Sequence, residues 1–283
     1  MNEKVALITG GASGIGRALG SAMAGQGGTV VLADRDLEAA EAAAQEIRDA
    51  GGEAAAVELD VRDPRAFTRV AQGLHSRHGR IDFLFNNAGI VIGGEVADYD
   101  GSAWDEVFDV NLRGVAHGIQ AVYPLMREQG SGQIVNTASI LGLVPAAGII
   151  SYTATKHAVV GLSKALRIEA AHHGIGVSVL CPGAIRTPIL TGGKHGRLVG
   201  THPPENERRA LSERIRPMDS TAFANAALRA VAANEPIIII PRRWKAAWYL
   251  DRLSPRLSLA LWRWIHRQAR AERDRRIQEP IPS

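Results

Sequence analysis

Three side chains stand at a spacing that suits proton transfer to an alcohol. Tyr152 and Lys156 are four residues apart, and Ser139 lies thirteen residues before Tyr152. Residues four apart share a helix face, so the Lys156 ammonium can favour the phenolate of Tyr152 and lower its pKa from about 10. Tyr152 could then take a proton from an alcohol or return it to a ketone, while the Ser139 hydroxyl binds the substrate oxygen. The spacing therefore predicts acid/base chemistry on an alcohol or ketone.

A glycine-rich segment near the N-terminus predicts a phosphate-binding turn between a strand and a helix. Backbone N–H groups and a helix N-terminus attract a diphosphate there, and glycines let it come close. The candidate cofactor-binding residues are Gly10, Ser13, Gly14, Ile15 and Gly16. Their spacing departs from the common G-x-G-x-x-G fingerprint, so the segment alone is a weak signal. Together with Ser139, Tyr152 and Lys156, it indicates hydride transfer to or from a nicotinamide. The positive ring of the oxidised nicotinamide would join Lys156 in favouring the phenolate of Tyr152.

Asp34 ends the next predicted strand, twenty residues after Gly14. A carboxylate there can bind both ribose hydroxyls and would repel a 2′-phosphate, which favours NAD. Arg35 follows directly and could pair with a 2′-phosphate, so NADP is not excluded. A turn-initiating Asp is the alternative explanation for Asp34.

Two more predicted strand ends carry residues that suit the same ligand. Asp60 and Val61 could flank an adenine, although an Asp at a strand end is also an ordinary helix cap. In the segment 86–89, the small and amide residues Asn87, Ala88 and Gly89 would let the backbone approach a cofactor closely. A plain turn is the alternative for this second segment.

Apolar runs and helical patterns alternate along the chain and would position these residues. The predicted strands are 4–9, 29–33, 54–59, 81–85, 132–137, 177–180 and 236–241. Because they are continuously apolar, both faces of the sheet must be covered. We predict an α/β fold, a doubly wound, Rossmann-like parallel sheet in one domain over residues 1–241, with ligands at the carboxyl ends of the strands.

Two intervening stretches are harder to interpret. Residues 104–127 predict a long helix that is broken or kinked near Gly114 or Gly118. Residues 187–218 are polar and predict a loop, with a short helix over 205–214, that could close over a site.

Residues 242–283 form a basic tail beyond the predicted domain. The tail has a net charge of +7, which leaves −3 for the rest of a chain whose total is +4. Ser254-Pro255 suits a helix start, and Leu257, Leu261 and Trp264 recur at helical spacing between arginines. We predict two amphipathic helices. They either lie on a membrane surface as a peripheral contact or dock on their own domain or a neighbouring subunit.

Composition and charge restrict the partners, the cellular compartment and the metal sites that we expect for the protein. The 283 residues are 46% hydrophobic, which suits a folded domain, and the basic excess lies in the tail, so we expect no nucleic-acid partner. The one cysteine, Cys181, fits a reducing compartment, and the N-terminal apolar run is too short for a signal peptide. We therefore expect a cytoplasmic protein. His172 and His173 lack further ligands nearby, so no metal site is expected.

Taken together, the motifs resemble those of the short-chain dehydrogenase/reductase family over about residues 4 to 241. The resemblance implies NAD at Asp34, a homodimer or homotetramer, and Asn111 as a further catalytic residue behind the lysine. It also implies that the segment 182–187 holds the nicotinamide, through Pro182, Gly183, Ile185 and Thr187. The candidate catalytic residues are thus Asn111, Ser139, Tyr152 and Lys156, of which Tyr152 and Lys156 also contact the cofactor.

The expected function is hydride transfer between NAD and a secondary alcohol or ketone, with a lipophilic substrate suggested by the apolar tail. The alternative is a regulator that binds a dinucleotide without turnover, or a scaffold at a membrane surface. The intact catalytic set argues against this alternative.

Overall fold

A parallel sheet of seven strands forms the centre of the structure, a computed structural model that describes residues 3–190, 195–200 and 213–278. The strands of the described chain, two of them outside this sheet, are β1 (Val5–Thr9), β2 (Thr29–Asp34), β3 (Glu53–Glu58), β4 (Phe83–Asn86), β5 (Val91–Gly93), β6 (Gly132–Thr137), β7 (Ile175–Pro182), β8 (Gly196–Leu198) and β9 (Ile237–Ile240). The order in the sheet is β3-β2-β1-β4-β6-β7-β9. The winding thus reverses between β1 and β4, which confirms the predicted doubly wound, Rossmann-like sheet.

Helices cover both faces of this sheet. They are α1 (Gly14–Ala24), α2 (Leu37–Asp49), α3 (Pro64–His78), α4 (Gly101–Phe108), α5 (Gly114–Gln129), α6 (Ile150–Ala170), α7 (Ser220–Ala232), α8 (Lys245–Leu253) and α9 (Pro255–Gln278). On one face, Ile8 lies in a core with Leu19 of α1 and Phe223 of α7. On the other, its strand neighbour Leu7 lies in a core with Phe67 of α3. Successive strand residues point to opposite faces, so both must be apolar.

The long helical stretch predicted over 104–127 is two helices joined by a π-helical turn, Asp109–Arg113. The predicted interruption near Gly114 is therefore present. At Gly118 the helix continues without interruption. The glycine is needed there because the helix packs closely against Asn86. A Cβ on Gly118 would lie 2.1 Å from the Asn86 Oδ1 atom.

A second, two-stranded sheet was not predicted. β5 and β8 pair in parallel, with Val91 opposite Gly196 and Gly93 opposite Leu198. β8 lies inside the segment 187–218, for which the sequence predicted a loop. Strands of three residues are too short to show a periodic pattern, which explains the omission. The helix predicted over 205–214 falls for the most part outside the described residues.

The two tail helices dock on the preceding part of the chain. Trp244, Trp248 and Trp262 pack against a buried cluster that includes Val115 and Val159. The Ser258 hydroxyl is buried and donates to Asp251 Oδ1 at 2.6 Å, which ties α9 to α8. Among the helices in the described ranges, none is long and apolar enough to cross a bilayer. The structure thus has the tail docked on its own domain.

Candidate active site

A cavity of about 750 Å³ lies at the carboxyl ends of the central strands. The predicted site residues that line it are Gly10, Ser13, Gly14, Ile15, Asp34, Arg35, Asp60, Val61, Asn87, Ala88, Gly89, Ser139, Tyr152, Lys156, Pro182, Gly183, Ile185 and Thr187. Gly16 and Asn111 do not line the cavity, and both lie directly behind its wall. The fold thus brings together residues that are up to 177 positions apart in the sequence, Gly10 and Thr187 being the extremes.

The glycine turn after β1 requires glycine for two different reasons. Gly10 and Gly14 have φ angles of +64° and +54°, in the left-handed region that other residues rarely adopt. Gly16 is needed for space, because a Cβ there would lie 2.1 Å from the Gly10 carbonyl oxygen and 2.7 Å from Asn87 Nδ2. Gly16 therefore lets α1 start against the turn without itself facing the cavity.

The N-terminus of α1 opens onto the cavity as an anion site. Ser13 is the N-cap residue, but its side chain makes no capping hydrogen bond, and the first turn of the helix has no acidic residue. The Ser13 hydroxyl instead lies 3.3 Å from His195 Nε2. Uncapped N–H groups and the helix dipole favour a negative group here, so the turn fits a dinucleotide diphosphate.

The Asp34 carboxylate is fixed at the end of β2 by backbone donors. Ala12 N–H donates to Oδ2 and Asp36 N–H to Oδ1, both at 3.1 Å. These bonds orient the half-buried carboxylate towards the glycine turn. Arg35 is exposed and also lines the cavity. The arrangement suits recognition of ribose hydroxyls beside the diphosphate site.

Asp60 is bound by an arginine that the sequence reasoning overlooked. Arg62 Nε donates to Asp60 Oδ1 at 2.9 Å, and this hydrogen bond is the main reason that the pKa of Asp60 lies below its usual value. Arg62 also lines the cavity, and the Val61 carbonyl contacts His117 Nδ1 at 2.9 Å. The rim at this point presents an ion pair rather than a lone carboxylate.

The segment after β4 is locked to the end of β1 by one hydroxyl. Thr9 Oγ1 accepts the N–H groups of Asn87 and Ala88 at 3.0 and 3.1 Å, and Asn87 Nδ2 donates to the Thr9 carbonyl at 3.1 Å. Because Thr9 is buried, these bonds are shielded from water. They hold the loop that carries Gly89 close to Lys156, whose Nζ would lie 3.4 Å from a Cβ on Gly89.

The segment after β7 closes the far side of the glycine turn. Met218 N–H donates to the Ala184 carbonyl at 2.9 Å, and the Thr187 hydroxyl donates to the Ile185 carbonyl at 3.2 Å. A Cβ on Gly14 would lie 3.2 Å from Thr187 Cγ2. The segment that was expected to hold a nicotinamide therefore adjoins the anion site at α1.

The candidate residues for proton transfer, Ser139, Tyr152 and Lys156, all line this cavity. Lys156 Nζ lies 5.4 Å from the centre of the Tyr152 ring and donates to the Thr137 carbonyl at 2.8 Å. The Ser139 hydroxyl forms a hydrogen bond with the Tyr152 phenol and accepts Leu141 N–H at 3.1 Å. Tyr152 and Lys156 come from adjacent turns of α6, as the spacing predicted. An oxygen bound between Ser139 and Tyr152 would be placed for proton transfer.

Burial dominates the electrostatics of this group. It raises the pKa of Tyr152, and the opposing hydrogen bond from Ser139 is the smaller effect. The expected lowering of this pKa involves the positive nicotinamide of an oxidised cofactor as well as Lys156, and it stays a prediction. Burial also lowers the pKa of Lys156 to about 8 and raises that of the neighbouring Cys181 to about 12. Removal from water penalises each charged form and outweighs the attraction between the groups.

Asn111 lies in the π-helical turn, fully buried beneath the loop after β4. Its Oδ1 accepts Ile90 N–H at 2.8 Å, and its Nδ2 donates to the Ile90 carbonyl at 2.9 Å and to Thr155 Oγ1 at 3.4 Å. The side chain thus links the loop after β4 to α6. A Cβ on Gly89 would lie 3.3 Å from Asn111 Oδ1 and 3.4 Å from Lys156 Nζ, so the Asn111 amide lies close to both residues.

Several residues of the cavity wall were not anticipated. Trp244 and Trp262 from the tail, Ile215 and His195 all line it. The tail had shown a tryptophan pattern, but nothing local indicated which surface those rings would meet. Arg197 also lines the wall, and its charge is directed at Glu106, with Nε 3.4 Å from Oε2.

Within the part of the chain that the structure describes, no cluster of His, Cys, Asp and Glu side chains could hold a metal ion.

Comparison with known proteins gives a consistent result. A family model described as short chain dehydrogenase matches residues 4–196. A cyclohexanol dehydrogenase from Acinetobacter sp. (strain SE19) is 40% identical over 205 residues, which are 71% of this chain and 81% of that protein. A cyclopentanol dehydrogenase from Comamonas sp. (strain NCIMB 9872) is 40% identical over 189 residues, 67% of this chain and 76% of that protein.

A solved structure shares the same architecture. A short chain dehydrogenase/reductase from Burkholderia phymatum in complex with NAD superimposes with a TM-score of 0.80 at 32% identity, covering 90% of this chain and 95% of that one. The matched family region contains the glycine turn, the Ser139, Tyr152 and Lys156 group and the segment 182–187. The chain therefore belongs to the short-chain dehydrogenase/reductase family, and it is an NAD(P)-dependent oxidoreductase fold with an alcohol-type active site.

Proposed function

We propose that the protein interconverts a lipophilic secondary alcohol and its ketone, with NAD as the preferred cofactor and Tyr152 as general acid/base. The observation that carries the proposal is the convergence of Ser139, Tyr152 and Lys156 in the cavity that the glycine turn and Asp34 also line. A proton carrier, an oxygen-binding hydroxyl and a dinucleotide cradle in one cavity are what hydride transfer to or from an alcohol needs.

Different residues of the cavity are assigned to different parts of the cofactor. We assign the diphosphate to the α1 N-terminus at Ser13, Gly14 and Ile15, and the adenosine ribose to Asp34. Asp60 and Val61 flank the adenine, and Arg35 supports the rim. The nicotinamide end is assigned to Asn87, Ala88 and Gly89 on one side and to Pro182, Gly183, Ile185 and Thr187 on the other. When bound, NAD accepts the hydride of an alcohol carbon or returns it to a ketone.

The chain's own groups handle the proton and the substrate oxygen. Ser139 donates a hydrogen bond to that oxygen and stabilises the charge that develops on it. Tyr152 takes the hydroxyl proton during oxidation and returns it during reduction. Lys156 holds a ribose hydroxyl and, when charged, favours the phenolate of Tyr152 against the effect of burial. Asn111 positions the loop and the helix that carry these groups.

The character of the cavity supports a lipophilic substrate. Around Ser139 and Tyr152 the wall is formed by Ile90, Ile140 and Leu141, together with the tryptophans of the tail. The similar cyclohexanol and cyclopentanol dehydrogenases are named for alcohols on hydrocarbon rings. An apolar wall binds such rings by excluding water and leaves the single hydroxyl to Ser139 and Tyr152.

A spectroscopic assay tests the proposal. The full-length protein is given NAD or NADP with a panel of cyclic and linear secondary alcohols, and the absorbance of the reduced nicotinamide is followed. We expect turnover with NAD and a loss of about 100-fold or more in Tyr152→Phe, which removes only the hydroxyl. Binding of NAD to the variant, measured by calorimetry, should stay within a fewfold. Equal rates for the two proteins would refute the role of Tyr152.

We also propose a cytoplasmic homo-oligomer, a dimer or tetramer, in which residues 1–241 form the catalytic unit and residues 242–283 a docked tail. The buried, unpaired Cys181 suits a reducing compartment. The packing of Trp244, Trp248 and Trp262 against the protein supports docking over a membrane contact. Sedimentation measures the oligomer, and pelleting with anionic vesicles tests the membrane alternative, which full partition of the protein would favour.

A further inference from the structure

The tail contributes two aromatic rings to the cavity in which the chemistry is assigned. Trp244 follows β9 and Trp262 lies in α9, and both line the same cavity as Ser139 and Tyr152. The family match ends at residue 196, so both rings come from beyond the matched region. Part of the cavity wall is therefore formed by residues outside the matched family model.

The rings stand at the substrate end rather than at the cofactor end. Trp262 packs against the cluster that contains Ile140, the residue after Ser139. The diphosphate site at Ser13 and the ribose site at Asp34 belong to the other end of the cavity. A side chain that lines the cavity and packs on the cluster beside Ser139 is placed for the alcohol and not for the adenosine.

Two contacts hold α9 across this end. Trp262 packs on the Ile140 side, and eight residues later Arg270 Nη1 lies 3.5 Å from Glu95 Oε1. Eight helical residues span roughly 12 Å. Glu95 follows β5, whose residues Val91 and Gly93 also line the cavity. The helix thus contacts two separate parts of the chain that contribute to the cavity wall.

Trp244 has a fixed place beneath α9. A Cβ on Gly183 would lie 2.1 Å from Trp244 Nε1, so the indole rests directly on the Gly183 backbone. Its nitrogen is buried and has no hydrogen-bond partner among the described residues. The ring is consequently held by packing alone, and it presents an apolar face beside the assigned nicotinamide position.

From these contacts we infer that Trp262 is a specificity-determining residue, and that the tail forms an aromatic wall which selects alcohols with a single compact hydrocarbon ring over larger fused-ring alcohols. This inference rests on the proposed function. An indole at the substrate end gains contact with a ring that fits beside it and blocks a second fused ring by occupying that volume.

Substitution of Trp262 tests this, with Trp264 as a matched control. Trp264 lies two residues further along α9, is 59% exposed and does not line the cavity. Full-length wild type, Trp262→Ala and Trp264→Ala are assayed with NAD on cyclohexanol and on a decahydronaphthol. We expect Trp262→Ala to lower kcat/KM for cyclohexanol about tenfold, mainly through KM, because it loses aromatic contact area. The ratio of kcat/KM for the fused-ring alcohol to that for cyclohexanol should rise at least fivefold, and Trp264→Ala should change neither quantity by more than about twofold.

A binding measurement separates this inference from the proposed function. Calorimetry of cyclohexanone with the NAD complex needs no turnover, because the oxidised cofactor has no hydride to give to a ketone. Trp262→Ala should weaken this binding about tenfold, while Trp264→Ala should not. Such a result without turnover in the wild type would refute the proposed reaction and support the aromatic wall. An unchanged substrate ratio in Trp262→Ala, equal effects of the two substitutions, or no ring binding by the wild type would each overturn the inference. Should Trp262→Ala unfold, Trp262→Leu keeps an apolar side chain and must show the same shift in ratio.

Discussion

The Lys156 ammonium lies 5.4 Å from the centre of the Tyr152 ring while it donates to the Thr137 carbonyl at 2.8 Å. One turn of α6 fixes this relationship, and β6 supplies the acceptor. The lysine is buried, and its pKa is lowered to about 8 because burial disfavours the charged form. The site therefore holds a cation in an environment that works against its charge.

We expect Lys156→Met to stabilise the protein at pH 7 by about 1 to 3 kcal/mol while it abolishes turnover. The folded-state pKa is about 8 against an ordinary value of 10.5, so the folded state holds the proton less tightly than the unfolded state. The resulting penalty is complete below pH 8 and disappears as the pH rises to 10.5. Urea unfolding of wild type and variant between pH 7 and pH 10 measures the difference in their free energies of unfolding. This gap should narrow with rising pH. A gap of the opposite sign, or one that is constant with pH, would contradict this account.

Replacement of Asp34 by Asn should relax the cofactor preference. The amide keeps an oxygen for one of the backbone donors at Ala12 and Asp36, and it removes the charge that repels a 2′-phosphate. We expect kcat/KM for NADP to rise about tenfold or more, since one unit charge a few ångströms away is worth at least that much. Glu58→Gln is the matched control, because Glu58 pairs with Asp34 on the adjacent strand but does not line the cavity. If both variants shift equally, general charge and not the position of Asp34 sets the preference.

Asn111→Ala should destabilise the whole domain and not only the active site. It leaves the buried N–H and carbonyl of Ile90 without their partners at 2.8 and 2.9 Å. Each unsatisfied group costs about 1 to 3 kcal/mol, so we expect a loss of about 2 to 4 kcal/mol in the free energy of unfolding. Urea titration measures it. A variant that unfolds like the wild type but turns over slowly would instead show that Asn111 acts only in the chemistry.

Two glycine substitutions should have opposite effects on stability. Gly16→Ala places a Cβ 2.1 Å from the Gly10 carbonyl oxygen, so we expect loss of NAD binding together with a lower free energy of unfolding. Gly161→Ala adds a Cβ in open space on the exposed side of α6, and we expect a gain of about 0.5 to 1 kcal/mol with normal binding. Calorimetric titration with NAD and thermal melting provide both readouts. Intact NAD binding in Gly16→Ala would mean that the turn tolerates displacement of α1.

The strands and the placement of the candidate catalytic residues could be predicted because their signals are local. Tyr152 and Lys156 share a helix face by spacing alone, and continuous apolar runs such as 5–9 indicate a sheet that is covered on both faces. The doubly wound arrangement follows from the same alternation of strands and helices, whereas the order of the strands comes from the structure alone.

The features that escaped prediction depend on distant partners. Trp262 packs against a cluster that includes Ile140, which lies 122 positions earlier in the sequence. The pKa of Tyr152 depends on burial, which spacing does not reveal. The pairing of β5 with β8 joins two three-residue segments about a hundred positions apart. None of these relationships leaves a periodic trace in the sequence.

A buried series of hydrogen-bonded side chains connects β4 and β6 to α6. Asn86 Nδ2 donates to Asn136 Oδ1 at 2.9 Å, Asn136 Nδ2 donates to Ser163 Oγ at 3.0 Å, and the Ser163 hydroxyl donates to the Val159 carbonyl at 2.7 Å. Rotation of α6 by one residue would turn Ser163 by about 100° and strand the Asn136 amide among apolar side chains. Alternative dockings of the helix are thereby rejected during folding, and only the orientation that aims the phenol at the ligand cleft survives.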